Sequence, residues 1–200
     1  KPMLRSMEYW FGPYPFYQDG YKLIETPHLG MEHQSAVAYG NEYQNGYRGL
    51  DRSGTGWGLQ WDFIIIHESG HEWFGNNITT QDIADMWVHE AFTTYSEALF
   101  VESQFGKDAA REYIQGQLRN IRHDGPIIGP YGVNQEGSSD MYDKGSNLLH
   151  LIRTSYVPDD AQWRALLRGL GHTFYHQTVT GKQIIDYFNQ QTGQNLTPVF

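Results

Sequence analysis

The chain has 200 residues, of which 39% are apolar and 15% are aromatic, so it can bury a sizeable core. Its 14 basic and 23 acidic residues leave a net charge of −9 without a long basic run, which argues against a nucleic acid partner and against an anionic membrane surface. The sequence has no cysteine and no apolar run of membrane-spanning length, so a metal would be held by histidine and carboxylate, and no membrane segment is expected.

The first 58 residues predict one helix and a small β portion. Residues 3–11 carry apolar side chains at helical spacing, and a turn rich in Gly and Pro ends that helix. The segments 21–26 and 35–39 have the composition of short strands. Residues 41–58 are rich in Gly and polar side chains, which indicates an exposed loop.

The remainder of the chain is mainly helical in its pattern. Helices are predicted at about 59–74, from 82 or 85 to 106, and at 108–122, 139–156, 159–169 and 181–191, with a Gly- and Pro-bearing loop over 123–137. These elements predict an α+β fold in a single domain over residues 1–200, with a β part at about 1–58 and a helical part at about 59–200.

The most informative motif is a pair of histidines, His67 and His71, with Glu68 beside the first of them. Residues four apart lie on one face of a helix, so both imidazoles can bind one metal ion. Glu68 lies about 100° further around the helix axis, where it can accept a proton from a metal-activated water without being a ligand. A catalytic zinc site needs a third protein ligand, and Glu90 follows His71 after eighteen intervening residues on the next predicted helix. The alternative, two ordinary buried histidines, is disfavoured by this context.

Around these residues the chain resembles the gluzincin zinc aminopeptidases, the family of aminopeptidase N and leukotriene-A hydrolase. The resemblance rests on Ile66–Asn76 with its Trp-Phe-Gly-Asn ending, on Trp87–Phe92, and on the spacing between the two segments. Residues 29–33 fall where the family has Gly-Ala-Met-Glu-Asn or Gly-Gly-Met-Glu-Asn, and residues 141–145 fall where it has Tyr-Glu-Lys-Gly. The turn over 11–15 also matches. The similarity covers nearly the whole chain and implies a thermolysin-like zinc peptidase catalytic domain with one zinc ion per chain.

The resemblance implies roles for residues that composition alone would not single out. Glu32 would bind the free α-ammonium of a peptide by a charge-assisted hydrogen bond, with Gly30 and Met31 beside it in the substrate-binding segment. Without the resemblance, Glu32 would be taken for a solvated loop carboxylate. Tyr142 would donate a hydrogen bond to the developing oxyanion, and Tyr131 in the preceding loop is the competing phenol.

Several other residues have open or minor roles at this level. Leu29 and His33 replace the Gly and Asn of the family motif, and the role of His33 is left open. Glu97 follows the third candidate ligand by seven residues and could hydrogen-bond a ligating histidine, but the sequence favours a surface carboxylate. His89 is expected to point away from the metal face. The pair His172 and His176 has no acidic third ligand nearby.

The sequence therefore predicts a zinc-dependent aminopeptidase that acts on peptides with a free amino terminus. Two alternatives stay open, an epoxide hydrolase on the same scaffold and a non-catalytic peptide-binding module. The intact ligands, base and phenol argue against the second alternative. Family members are longer, so the resemblance also implies flanking domains that shape part of the substrate pocket.

Overall fold

A computed structural model describes the whole chain, Lys1–Phe200, as seven α-helices and five short strands. The helices are α1 (Pro2–Phe11), α2 (Phe63–Gly70), α3 (Trp87–Phe105), α4 (Lys107–Gln117), α5 (Asp143–Ser155), α6 (Asp160–Thr173) and α7 (Gly181–Thr192). The strands are β1 (Leu23–Glu25), β2 (Gly30–Met31), β3 (Val37–Tyr39), β4 (Ile78–Thr80) and β5 (Gln177–Val179). The predicted mixture of mostly helix with a small β portion is confirmed. None of the helices has the length and apolar character of a membrane span.

The strands form two separate small sheets. In the first, β3 lies in the centre, parallel to β1 and antiparallel to β2, so β2 is an edge strand. In the second, β4 pairs in parallel with β5, which lies almost a hundred residues later in the chain. The second sheet was not predicted, because strands of three residues are too short to show a periodicity. It lies within the part of the chain that was predicted to be helical.

Helix α3 is the centre of the fold, and it is buried on every side from Trp87 to Val101. Helices α1, α2, α4, α5 and α7 and strand β4 all pack against it. A Cβ atom on Gly145 would lie 2.5 Å from the Cβ atom of Ala91, so only glycine lets α5 approach α3 this closely. One apolar core of 40 buried residues joins the first β portion to the helices.

Helix α2 is shorter than the predicted helix over 59–74. It begins after Asp62, whose carboxylate accepts a hydrogen bond from the backbone N–H of Ile65, a typical N-cap. It ends at Gly70, and the chain turns back at Gly75 with a φ of 132°. His71 nevertheless keeps helical dihedrals of −63° and −17°, so the spacing on which the metal prediction rests is preserved.

Other helix boundaries also differ from the prediction. The helix predicted over 139–156 is interrupted at Tyr142, which has a ψ of −85° and separates a 3₁₀ turn from α5. The helix predicted over 108–122 becomes a 3₁₀ turn after Gln117. Helix α6 continues past Gly169 to Thr173. A Cβ atom on Gly169 would lie 2.1 Å from the hydroxyl of Tyr187 on α7. That glycine serves helix packing rather than termination.

Candidate active site

Helices α2 and α3 bring His67, His71 and Glu90 together in the interior. The Oε2 atom of Glu90 lies 3.5 Å from the Nε2 atom of His67 and 3.5 Å from that of His71. All three side chains are buried. The structure thus places the three predicted ligands at one point, although eighteen residues separate His71 from Glu90 along the chain.

The donor set fits a zinc ion. Ligand atoms at the corners of a zinc tetrahedron lie about 3.4 Å apart, close to the separations observed here. Glu90 Oε2 is fully buried and has no hydrogen-bond partner, which is costly unless a cation completes its environment. In addition, the Nδ1 atoms of both imidazoles face acceptors, Glu97 Oε1 at 2.7 Å and the carbonyl of Phe74 at 2.9 Å. An Nδ1–H that donates to these acceptors leaves both Nε2 lone pairs for a metal.

Glu97 is buried beside the candidate metal ligands, contrary to the sequence prediction. It is 1% exposed, so its interpretation as a surface carboxylate is wrong. Its Oε1 atom faces Nδ1 of His67, while its Oε2 atom accepts a hydrogen bond of 2.6 Å from the hydroxyl of Tyr113. The signal that could have revealed it is the helix itself. Small and apolar residues surround Glu97 on every face of α3, which is typical of a buried helix.

The charges at this point shift one another's pKa values. Burial raises the pKa of the Glu90 carboxyl, but the two imidazoles outweigh it and lower that pKa overall. Burial lowers the pKa of His67, but Glu90 and Glu97 outweigh it and raise that pKa overall. For Glu68, burial is the main cause of a raised pKa, to which Glu32 and Glu90 add. The carboxylate of Glu68 is therefore a stronger base than a solvated one.

Strand β2 passes directly over Glu68. A Cβ atom on Gly30 would lie 2.7 Å from Glu68 Oε1 and 2.7 Å from the Cγ2 atom of Ile64. Only a glycine lets the backbone come this close to the candidate base. Met31, the next residue, is 42% exposed on the open edge of the sheet. The segment predicted to bind substrate main chain therefore lies beside the base with its edge free.

Glu32 also reaches the site. Its carboxylate, that of Glu68 and an imidazole nitrogen of His71 lie within 4.8 Å of one another. The side-chain amide of Asn76, the last residue of the Trp-Phe-Gly-Asn ending, donates a hydrogen bond of 2.9 Å to the carbonyl of Glu32. The fully buried Glu72 accepts a hydrogen bond of 2.7 Å from the backbone N–H of Ser35. Two side chains from the histidine segment therefore hold the Glu32 loop in place.

The two candidate phenols occupy different environments. The ring of Tyr142 is stacked at 6.2 Å from that of His67, and Tyr142 lines the same cavity as Glu68. Burial, followed by the nearby Glu90 carboxylate, raises its pKa. Tyr131 instead donates a hydrogen bond of 2.8 Å to Asp85 and is 57% exposed. The geometry favours Tyr142.

The remaining histidines do not join the site. His89 is buried, and its Nε2 atom accepts a hydrogen bond of 2.9 Å from the backbone N–H of Thr80. The expectation that His89 points away from the metal face is thus confirmed. His172 and His176 are exposed and belong to no group of potential metal ligands. The side chain of His33 is exposed as well.

The family model described as the peptidase family M1 domain matches residues 7–200. The chain belongs to peptidase family M1. The family resemblance that the motifs suggested is therefore confirmed. Among the relatives of this M1 domain, aminopeptidase N of Lactobacillus helveticus is 28% identical over 198 residues, which cover 88% of the chain and 23% of that protein. Aminopeptidase B of Homo sapiens is 28% identical over 144 residues, covering 62% of the chain and 21% of that protein.

Solved structures share the fold of this M1 domain. The M1 zinc metallopeptidase from Deinococcus radiodurans superposes with a TM-score of 0.76 at 25% identity. The superposition covers 98% of the present chain and 41% of the Deinococcus chain. Leukotriene A4 hydrolase from Saccharomyces cerevisiae superposes with a TM-score of 0.75 at 16% identity, over 98% of the chain and 32% of that chain, a likeness of fold alone. The M1 domain spans between 13% and 23% of the length of the curated relatives named aminopeptidase N and endoplasmic reticulum aminopeptidase 1.

Proposed function

We propose that this M1 domain is the catalytic part of a zinc-dependent aminopeptidase, with a thermolysin-like arrangement of its two central helices. One zinc ion per chain would be held by His67, His71 and Glu90. The observation that carries the proposal is the position of Glu32, whose carboxylate lies within 4.8 Å of the Glu68 carboxylate and of an imidazole nitrogen of His71. A carboxylate at this distance fits a substrate ammonium one residue before the bond to be cleaved.

When bound, zinc would act as a Lewis acid that polarises the scissile carbonyl and lowers the pKa of the attacking water. The side chains of the domain supply the other steps. Glu68 accepts the proton of the attacking water and passes it to the leaving amine. Tyr142, whose raised pKa keeps its phenol protonated at neutral pH, donates a hydrogen bond to the oxygen on which negative charge develops. Gly30 and Met31 present the free edge of β2 to the main chain of the substrate.

Two alternative functions would use the same scaffold. The fold is shared with a leukotriene A4 hydrolase, so the fold does not separate peptide cleavage from epoxide hydrolysis. The recognition of an ammonium by Glu32 favours peptides. A non-catalytic binding module would not need Glu68 beside three potential ligands. We propose residues 1–200 as one catalytic domain, and the share of the relatives that it covers supports the further proposal that flanking domains complete the substrate pocket.

The test uses the purified zinc-loaded chain and its Glu68→Gln variant. The wild type should hydrolyse amino-acid amides with a free amino group and spare the N-acetylated forms. The variant should retain one zinc per chain by elemental analysis and lose activity by at least about a hundredfold, because an amide cannot accept the proton. Equal cleavage of free and acetylated substrates, or wild-type turnover in the variant, would contradict the proposal.

A further inference from the structure

A cavity of about 720 Å³ opens at the candidate site. His67, Glu68 and Tyr142 line it, whereas neither Glu32 nor His71 does. If the proposed function holds, the substrate ammonium lies at Glu32 and the scissile bond lies near Glu68. The part of the peptide that follows the scissile bond then enters this cavity.

Three arginines, Arg52, Arg119 and Arg122, line the same cavity, which we call the arginine cavity. The chain contains only nine arginines and has a net charge of −9, so three of them at one opening make a local positive charge against an acidic background. The Nη2 atom of Arg52 lies 4.0 Å from the Oδ2 atom of Asp143, the longest separation of an ion pair. Arg119 and Arg122 have no carboxylate within 4.0 Å, so their charge is available to a ligand.

Arg52 is held over aromatic rings that lead directly to the candidate site. Its guanidinium lies 5.4 Å from the centre of the Tyr47 ring and 5.3 Å from that of Phe63. The Phe63 ring in turn is stacked on the ring of His67 at 5.3 Å, with an interplanar angle of 14°. A candidate metal ligand, an apolar ring and a cation thus follow one another along one wall of the cavity.

The other two arginines are also positioned by the fold. Arg119 Nη2 donates to the carbonyls of Asp51 and Arg52, at 3.3 and 3.2 Å, and ties the two loops of the cavity together. The backbone N–H of Arg122 donates a hydrogen bond of 2.8 Å to Asp140, two residues before Tyr142. The segment that carries Arg122 is therefore attached to the turn that carries the candidate phenol.

The acidic groups in the cavity do not cancel this charge. Glu97 is already engaged by His67 and Tyr113, and Glu68 lies at the reaction end. Asp143 also lines the cavity, but among the arginines it faces only Arg52, at 4.0 Å, and leaves Arg119 and Arg122 without a carboxylate partner. Between the two ends the wall is apolar, with Phe63 and Ile64. An apolar neck followed by guanidinium groups is complementary to a short aliphatic chain that ends in a carboxylate.

We propose that the arginine cavity binds a carboxylate in the residue that follows the scissile bond. This inference rests on the proposed aminopeptidase function of the same site. Two sources have this chemistry, the side chain of Asp or Glu in the second position and the terminal carboxylate of a dipeptide. The domain would therefore favour substrates whose second residue is acidic, or dipeptides over longer chains.

The experiment compares matched substrates with the zinc-loaded full chain. For the side-chain source the pair is Ala-Glu-amide and Ala-Gln-amide, and for the terminal source it is Ala-Gly and Ala-Gly-amide. The acidic member of at least one pair should have a kcat/KM about tenfold higher. The double variant Arg52→Gln, Arg122→Gln should bring that ratio close to one, whereas Arg122→Lys should keep most of it.

Arg111→Gln is the matched control, since Arg111 is exposed on α4, pairs with Asp108 at 3.0 Å and lies outside the arginine cavity. It should leave both ratios unchanged. The pair that responds to the double variant identifies the source of the carboxylate. Ratios of about one in the wild type, or ratios that the double variant leaves unchanged, would overturn the proposal while leaving the peptidase function intact.

A second measurement separates the two proposals if no substrate is hydrolysed, an outcome that would refute the proposed function. Binding to the Glu68→Gln variant can be measured by calorimetry, which does not depend on turnover. The ligands are the same two pairs, Ala-Glu-amide with Ala-Gln-amide and Ala-Gly with Ala-Gly-amide. Tighter binding of the acidic member of a pair, lost when Arg52→Gln and Arg122→Gln are added, would support the arginine cavity by itself. Equal binding within both pairs would overturn it.

Discussion

The carboxylate of Glu97 lies 2.7 Å from the Nδ1 atom of His67, buried between α2 and α3. Because it accepts the Nδ1–H, it fixes the tautomer in which Nε2 faces Glu90 and His71. The same carboxylate is held by Tyr113 from α4. Helix α4 thereby orients a candidate metal ligand, His67, through Glu97.

Replacing Glu97 with Gln or Ala should weaken zinc binding by about ten- to a hundredfold, because the His67 ring loses its orienting acceptor. Competition with a chromophoric chelator would measure the dissociation constant. The matched control is Glu112→Gln. Glu112 is an exposed carboxylate that accepts a hydrogen bond from the indole N–H of Trp57, away from the site. Unchanged zinc affinity in both Glu97 variants would show that this contact serves only the packing of the helices.

Removing the carboxylate of Glu32 should abolish the preference for a free amino terminus. With Glu32→Ala, substrates that carry an ammonium should lose about ten- to a hundredfold in kcat/KM, because a charge-assisted hydrogen bond is lost. N-acetylated substrates, poor from the start, should change little. Equal losses on both substrate types would instead mean that Glu32 only supports its loop, and Glu25→Gln, an exposed carboxylate on β1, serves as the control.

Gly30→Ala should reduce turnover while sparing the metal. The added methyl group would lie 2.7 Å from Glu68 Oε1, so either the base or strand β2 must move. A misplacement of this kind costs about a hundredfold in rate. Zinc content should stay at one per chain, because the atoms nearest to the new methyl group belong to Glu68 and Ile64 and not to the three candidate ligands. The control is Gly125→Ala, where the nearest atom to the new methyl group is 3.8 Å away. Unchanged turnover in Gly30→Ala would indicate that Glu68 is not the base.

Asp143 should make the domain less stable as the pH rises, the opposite of the usual effect of a paired carboxylate. Burial, followed by the Glu97 carboxylate, raises its pKa from 3.8 to about 6, although Arg52 opposes the shift. A carboxyl with a raised pKa favours folding while it is protonated, so its contribution is lost as the pH rises from about 4 through 6. Asp143→Asn should therefore stabilise the domain by about 1–3 kcal/mol at pH 7 and hardly at all at pH 4.

Urea unfolding of both forms at several pH values would measure this difference. Asp108→Asn is the control, because Asp108 is exposed on α4 and should show no such trend. A difference between wild type and Asp143→Asn that is constant from pH 4 to pH 7 would contradict the ionisation of Asp143 as the cause.

The sequence by itself determined the local geometry of the metal motif. A spacing of four places His67 and His71 on one helical face whatever surrounds them, and this survived even though α2 ends at Gly70. The helix that carries Glu90 was likewise predictable, because a long buried segment has a strong pattern. The family motifs added Glu32 and Tyr142, which no periodicity would single out.

Only the tertiary structure decided which groups from distant segments meet. Glu97 looked like a surface carboxylate because a single sequence does not show that α4 covers it with Tyr113. The pairing of β4 with β5 and the convergence of three arginines on one cavity depend on how the helices pack, not on spacing along the chain. Local backbone preference acts over a few residues. These contacts arise instead from burial of the common core, which joins segments more than a hundred residues apart.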